Sequence, residues 1–137
     1  MSDPSGEKLP VSDEQLFRQV CPQFVDDGHI TSQVFRPKRT DAGLLSVHRA
    51  TKCGGAQDAY DLCVRKSVNT CGVVAVSINE ASTSGLDTFD DELTAPVLDV
   101  AHAVIDFRGR SNNEINTAAK KLKAAAIARG WLYRSDG

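Results

Sequence analysis

Residues 72–78 read Gly72-Val73-Val74-Ala75-Val76-Ser77-Ile78, an almost continuous run of apolar and β-branched side chains. A strand with one face in water would carry polar residues at every second position, and this run does not. Such runs are typical of strands that are buried on both faces of a sheet. The sequence therefore predicts a strand here and makes it the best candidate for the centre of the sheet.

Three further segments carry strand patterns. Residues 44–49 and 100–107 both predict strands, and alternation within the second places His102 and Asp106 on one face and Ile105 on the other. Residues 31–36 alternate enough to predict another strand, which Pro37 ends. This strand and residues 44–49 would form a hairpin or lie on neighbouring edges.

Capping patterns and apolar stripes predict three helices. The first has its N-cap at Ser12 with Gln15 three residues later, and it ends before Pro22. The second covers residues 56–67, and the last runs from Ser111 to Gly130. This last helix carries one apolar stripe: Ile115, Ala118, Ala119, Leu122, Ala125 and Ala126. Residues 80–96 are rich in acidic and turn-forming residues, which predicts a surface loop with a short strand near 86–89.

This order of elements predicts a single-domain α+β sandwich. We expect a mostly antiparallel sheet of about four to five strands, covered on one side by about three helices, of which the C-terminal one is the longest. The chain has 137 residues, of which 41% are hydrophobic and 25% charged, as expected of one globular core. We expect a flexible lead over residues 1–10, the domain over residues 11–134, and a tail over residues 135–137.

Neither a membrane segment nor a metal site is predicted. No apolar run approaches the roughly 18 residues of a membrane span, and the N-terminus has no signal-peptide pattern, so we expect a cytoplasmic protein. The four cysteines and three histidines lack the close ligand pairs of zinc sites, so we predict free thiols, no metal and no cofactor.

Charge is distributed unevenly along a chain whose net charge is only −2. Residues 67–107 contain no lysine or arginine, whereas the C-terminal segment is basic. Opposed charged regions can organise a contact with another protein. The predicted interaction surface comprises Phe35, Arg36, Lys38, Arg39, Lys120, Lys121, Lys123, Asp90, Asp91 and Glu92.

The candidate catalytic residues are His48, Arg49 and His102, which would meet at a cleft only if strand order allows it. Ser46 shares a strand face with His48, but this spacing does not orient a base towards a nucleophile. His102 and Asp106 are too far apart on one strand for a hydrogen bond, since four residues span about 13 Å.

Two short motifs resemble elements of ADP-ribosyltransferases. Arg49-Ala50-Thr51 and Ser82-Thr83-Ser84 look like the arginine and S-T-S elements that help to position NAD in that family. The family also has a glutamate motif, E-x-E or Q-x-E, and here Glu114-Ile115-Asn116 lacks the second glutamate. The resemblance implies, at best, a related small enzyme.

From Leu16 to Tyr133 the chain resembles a group of small bacterial cytoplasmic proteins with no settled activity. The stretches that carry the resemblance are Phe17-Arg18-Gln19-Val20, Thr31-Ser32-Gln33-Val34-Phe35-Arg36-Pro37, Leu45-Ser46-Val47, Gly72-Val73-Val74-Ala75-Val76, Ala101-His102-Ala103-Val104-Ile105-Asp106-Phe107 and Ala128-Arg129-Gly130-Trp131. The resemblance implies a free-standing protein and a shared surface at Ser32, Phe35, Pro37, Ser46 and His102.

The sequence is therefore compatible with three functions. The first is a non-enzymatic interaction or regulatory subunit of a bacterial multi-component system, such as a defence or toxin–antitoxin system, with another protein as its partner. The second is a small enzyme acting on a nucleotide or phosphorylated substrate. The third is a nucleic-acid-binding module. The basic residues near Phe35 favour it, whereas the sequence pI of about 5.9 and the lack of RRM and KH motifs argue against it.

Overall fold

The structure is a computed structural model that describes residues 6–135. Its main element is a six-stranded antiparallel sheet. The strands, in chain order, are β1 (Gln15–Gln19), β2 (Val25–Asp26), β3 (His29–Ile30), β4 (Leu44–Arg49), β5 (Gly72–Ser77), β6 (Asp87–Asp90), β7 (His102–Asp106) and β8 (Tyr133–Arg134). The sheet has the order β6-β7-β4-β1-β5-β8, and β2 and β3 pair separately.

Three α-helices pack on this sheet: α1 (Ala56–Arg65), α2 (Ile78–Thr83) and α3 (Asn112–Arg129). Short 3-10 turns cover Pro22–Phe24, Ser32–Phe35, Arg39–Asp41 and Ala50–Lys52. The predicted α+β class is confirmed, as is the antiparallel sheet, although it has six strands. The C-terminal helix is the longest, as predicted, with 18 residues.

Strand β5 is buried at every position, as its sequence predicts, but it is not at the centre of the sheet. It is the fifth strand of six, and the central pair is β4 and β1. Both faces of β5 are nevertheless covered, because α1 packs on one side of it and α3 on the other. A continuous apolar run therefore reports burial on both faces and not position within the sheet.

The prediction of a helix beginning at Ser12 is wrong, because residues 15–19 form β1. Leu16 and Phe17 are both buried, and on a strand these neighbours point to opposite faces. β1 pairs with β5 over five residues, so sheet formation overrides the local capping pattern. The Ser12 hydroxyl accepts a hydrogen bond from the Glu14 N–H, two residues away.

Two other segments also differ from expectation. Residues 32–35 form a 3-10 turn, not a strand, because Val34 and Phe35 both enter the core beside α3. Neither of the two arrangements expected with residues 44–49, a hairpin or neighbouring edge strands, is therefore formed, and β4 pairs with β1 and β7 instead. Part of the predicted acidic loop is α2, whose N-cap Ser77 forms a capping box with Glu80, and the short strand predicted near 86–89 is β6.

Helices cover both faces of the sheet, where the sequence predicted one. Leu16, Leu45, Val76 and Ile105 form the main core with α3; we call this side the α3 face. On the opposite side, which we call the α1 face, a smaller cluster joins Phe17, Ala59, Val73 and Ala75. The α1 helix packs mainly on β1, β5 and β8.

The ends of the chain are described in part. Of the lead predicted over residues 1–10, residues 1–5 lie outside the described residues, as do 136 and 137 of the predicted tail. Lys8 forms a β-bridge with Phe89, and the buried Leu9 donates its N–H to the Thr88 carbonyl. The capping box of α3 between Ser111 and Glu114 is confirmed. Within residues 6–135, no helix has the length and apolar character needed to cross a membrane.

Candidate active site

Two buried histidines lie side by side on the α1 face. The register of β4 and β7 places His48 directly opposite His102, so both side chains leave the sheet on the same side. Their ring centroids are 5.8 Å apart in an edge-to-face arrangement. Only 3% of His48 and 6% of His102 is exposed, so hydrogen bonds within the protein must satisfy both rings.

His102 connects a serine to an aspartate. Its Nε2 lies 3.1 Å from the Ser46 hydroxyl oxygen, and its Nδ1 lies 2.8 Å from the Asp91 carbonyl oxygen. The Asp91 carboxylate is also 3.2 Å from Nδ1. A carbonyl oxygen can only accept, so Nδ1 carries the hydrogen and Nε2 has the free lone pair. In the neutral ring the Ser46 hydroxyl therefore donates a hydrogen bond to His102 Nε2, which is the arrangement of a nucleophile with its general base.

The surroundings of His102 favour this role. Burial lowers the pKa of His102 below its ordinary value, an effect that the hydrogen bond to Asp91 opposes. The imidazole is therefore neutral at physiological pH and can take up a proton. Ser46 itself is exposed, so its hydroxyl is open to a substrate while its base is shielded from water.

His48 belongs to a second chain of interactions that includes no nucleophile. Its Nε2 lies 2.6 Å from a carboxylate oxygen of Asp99, and the Lys66 ammonium donates to the same oxygen at 2.8 Å. Burial opposes ionisation of Asp99, but the bonds from His48 and Lys66 outweigh it and hold its pKa well below the ordinary value. This ion-paired carboxylate anchors the His48 ring, which in turn packs against His102.

Arg49 does not join the two histidines, which corrects the predicted set of three. It follows His48 on β4 and so points to the α3 face, opposite Leu16. There its guanidinium donates two hydrogen bonds to Glu14, each of 3.0 Å. Burial opposes ionisation of Glu14, but the bonds from Arg49 and Thr51 prevail and lower its pKa. Arg49 thus acts as a structural partner of Glu14.

A cleft of about 360 Å³ opens beside Ser46. The pairing of β1 with β4 ends at Phe17 and His48, and beyond this point the Arg18 guanidinium donates a hydrogen bond of 2.9 Å to the Ser46 carbonyl. Other residues that line the cleft are Gln19, Cys21, Lys38, Asp41, Ser67 and Asn69. Ser46, an exposed residue, therefore borders a space that can hold a small molecule.

The residues of the predicted interaction surface are dispersed. Phe35 has no exposed surface, which removes it both from this surface and from the one implied by the bacterial resemblance. The acidic members are occupied within the protein: Asp90 and Glu92 lie near Lys52, and Asp91 contacts His102. The basic members lie at or near the surface, where Lys38, Arg39, Lys120 and Lys121 are exposed and Arg36 and Lys123 are half-buried.

Other candidates lie apart from Ser46. His29 is exposed on β3 and lines a separate cavity with Trp131. Ser82 and Thr83 end α2, where the Thr83 hydroxyl donates to the Asn79 carbonyl. Among residues 6–135 no cysteine forms a disulfide, and no group of histidine, cysteine and carboxylate side chains is arranged to hold a metal ion.

Sequence reasoning missed Asp91 and Asp99 as partners of the histidines. Both lie in the connection between β6 and β7; Asp91 falls in the loop predicted over residues 80–96, and Asp99 falls between that loop and the strand predicted from residue 100. Asp99 is 1% exposed, which no pattern around it indicates.

Comparison of the chain with protein-family models, with curated proteins and with solved structures found no match in any of the three.

Proposed function

We propose that this protein is a small hydrolase that cleaves an ester or a related acyl bond through a covalent intermediate on Ser46. The observation that carries the proposal is the continuous path from the Ser46 hydroxyl through both ring nitrogens of His102 to Asp91. A serine, a histidine in the correct tautomer and an orienting carboxylate are the parts of a serine hydrolase site. They are recognised by geometry, whatever the fold and the order in the chain.

The reaction assigns one role to each group. The Ser46 hydroxyl oxygen attacks the acyl carbon while its proton passes to His102 Nε2, and the Asp91 carboxylate stabilises the resulting imidazolium. The imidazolium then returns the proton to the departing alcohol, which leaves an acyl group on Ser46. Water, activated by the same nitrogen, hydrolyses this acyl ester and restores the hydroxyl.

Labelling with a fluorophosphonate tests this proposal. The serine oxygen forms a bond to phosphorus and fluoride departs, a reaction that needs an activated hydroxyl. We expect stoichiometric labelling of the wild-type protein on Ser46, located by tandem mass spectrometry. The variant Ser46→Ala should take up no label.

Ser67→Ala is the matched control for this labelling. Ser67 is exposed and lines the same cleft, but no histidine among the described residues is hydrogen-bonded to its hydroxyl. This variant should be labelled at the wild-type rate. A folded wild-type protein that remains unlabelled at Ser46, or is labelled equally on Ser67, would contradict the proposed hydrolase.

An interaction role is a second candidate, and the basic side of α3 supports it. Lys120 and Lys123 line a shallow groove with Ser32 and Ile127, and 51% of Ile127 is exposed. Positive charge beside an exposed apolar side chain suits a partner segment that carries both acidic and apolar residues. The acidic half of the expected surface gives no such support, because its members are engaged internally.

Copurification from the native host tests this second role. We expect a protein present in stoichiometric amounts with the wild type to be lost when Lys120→Glu and Lys123→Glu are combined, because reversed charge repels an acidic partner. Arg65→Glu, an exposed reversal on α1, serves as the control and should retain the partner. Retention of that protein by both variants would exclude the α3 groove as its binding surface.

A further inference from the structure

We infer that the cleft beside Ser46 recognises an anionic group, a carboxylate or a phosphate, through Arg18. The inference rests on the proposed hydrolase in one respect, since it makes this anion part of the substrate. It then names the substrate class: an ester whose acyl portion carries a negative charge close to the bond that is cleaved.

Arg18 is a partly buried cation whose partners are neutral. Its Nε donates to the Val34 carbonyl at 2.7 Å and its Nη1 to the Ser46 carbonyl at 2.9 Å. Within residues 6–135, no carboxylate lies within ion-pair distance of this guanidinium, and Nη2 has no hydrogen-bond acceptor. Cations removed from water normally have a paired anion, so the structure leaves a place for one.

The guanidinium remains charged in this position. Burial lowers the pKa of Arg18 to about 10, and the charge of Asp41 opposes that shift. At neutral pH the group is therefore fully protonated. A planar guanidinium with free N–H groups matches the oxygens of carboxylates and phosphates better than any other side chain does.

The rest of the cleft is compatible with an anion. Lys38 is exposed at its rim, while Asp41, the one carboxylate in the lining, accepts a hydrogen bond from the Lys38 backbone N–H. Arg18 and Lys38 thus outnumber Asp41 in charge. Gln19 also lines the cleft, and its buried amide nitrogen has no acceptor among the described residues.

The position of Arg18 also relates the anion to the nucleophile. Arg18 leaves β1 on the α3 face, as Leu16 does, and reaches the Ser46 carbonyl where the pairing of β1 with β4 ends, so an anion held by the guanidinium would lie in the cleft that Ser46 also lines. A substrate anchored there would present a nearby acyl carbon to the Ser46 hydroxyl. Binding energy from the anion would thus be used to position the reacting bond.

A titration followed by NMR tests the anion site directly. The probes are succinate, its neutral analogue succinamide, and inorganic phosphate, each added to the full-length protein in buffer of constant ionic strength. We expect succinate and phosphate to shift the Arg18 Nε–H resonance and the amides of Gln19 and Asn69. Succinate should bind at least about 10-fold more tightly than succinamide, because its hydrogen bonds to Arg18 are charge-assisted.

Two variants and a control separate specific binding from general charge attraction. Arg18→Lys keeps the charge but loses the fork of donors, and we expect it to weaken succinate binding about 10-fold. Lys38→Gln alters an exposed side chain at the rim and should weaken binding about 2- to 3-fold. Lys120→Gln removes a lysine of α3 that lies outside the cleft and should have no effect.

The outcomes distinguish this inference from the proposed function. Equal binding of succinate and succinamide would overturn the anion site, even if Ser46 reacts with the fluorophosphonate. Succinate binding at Arg18 without labelling of Ser46 would retain the anion site and overturn the hydrolase. Selective succinate binding together with labelling supports both, and it predicts a higher Ser46-dependent kcat/KM, taken as the wild type minus Ser46→Ala, for p-nitrophenyl hemisuccinate than for p-nitrophenyl butyrate.

Discussion

His102→Ala is expected to lower kcat/KM for p-nitrophenyl ester hydrolysis on the order of 10³-fold. The substitution removes the base that accepts the Ser46 proton, and general acid–base catalysis by one residue contributes about 10²–10⁴-fold. Release of p-nitrophenolate, followed by its absorbance at substrate concentrations well below KM, gives the ratio of the two kcat/KM values directly. The matched control is His29→Ala, which removes an exposed histidine outside the site and should leave the rate unchanged.

The pH dependence of kcat/KM in the wild type distinguishes a catalytic role of His102 from a purely structural one. The base works only when neutral, and burial lowers its pKa below the ordinary value. Activity should therefore be constant from neutral pH upwards and fall as the pH drops through this lowered pKa. An inflection above about 6.5, or a His102→Ala variant within 3-fold of the wild type, would show that His102 is not the base.

Part of this site could be predicted from the sequence. Alternation along a strand places Ser46 and His48 on one face, and it also directs Arg49 to the other, since neighbouring strand residues point in opposite directions. The predicted trio of His48, Arg49 and His102 was inconsistent with that rule. The proposed base of Ser46 is His102, on the neighbouring strand, and only the pairing of β4 with β7 brings the two together.

In the fold, too, local features could be predicted from the sequence, whereas a strand that depends on tertiary pairing could not. The capping box at Ser111 and the apolar stripe of α3 are local features, and the structure confirms both. Strand β1 follows from tertiary pairing, because Leu16 and Phe17 fill opposite faces between β4 and β5. The Ser12 pattern alone cannot reveal this, since the same side-chain hydrogen bonds occur in turns.

Asp99→Asn should lower the free energy of unfolding by about 3–5 kcal/mol, the usual loss when one partner of a buried ion pair is removed. Asp99 is 1% exposed, and its carboxylate bonds both His48 and Lys66. The amide keeps the shape of the side chain but cannot balance the Lys66 charge. Urea unfolding followed by circular dichroism measures the difference.

Asp87→Asn is the matched control for this loss of stability. Asp87 pairs with Lys8 at 3.3 Å, but 53% of its side chain and 60% of that of Lys8 are exposed. Exposed pairs contribute about 0–1 kcal/mol, so this variant should stay within 1 kcal/mol of the wild type. If both variants lost the same stability, burial of the Asp99 cluster would not be the cause.

The dependence of this stability on pH isolates the charge of Asp99. Its pKa in the folded protein is depressed, so the carboxylate stabilises the fold fully at pH values above its unfolded-state pKa of about 3.9. That contribution declines below this value and is lost as the pH falls through the lower folded-state pKa. Because asparagine does not titrate, the gap in unfolding free energy between wild type and Asp99→Asn should be constant near neutral pH and narrow in acid. A gap that stays constant down to about pH 2 would mean that packing of the side chain, and not its charge, accounts for the loss.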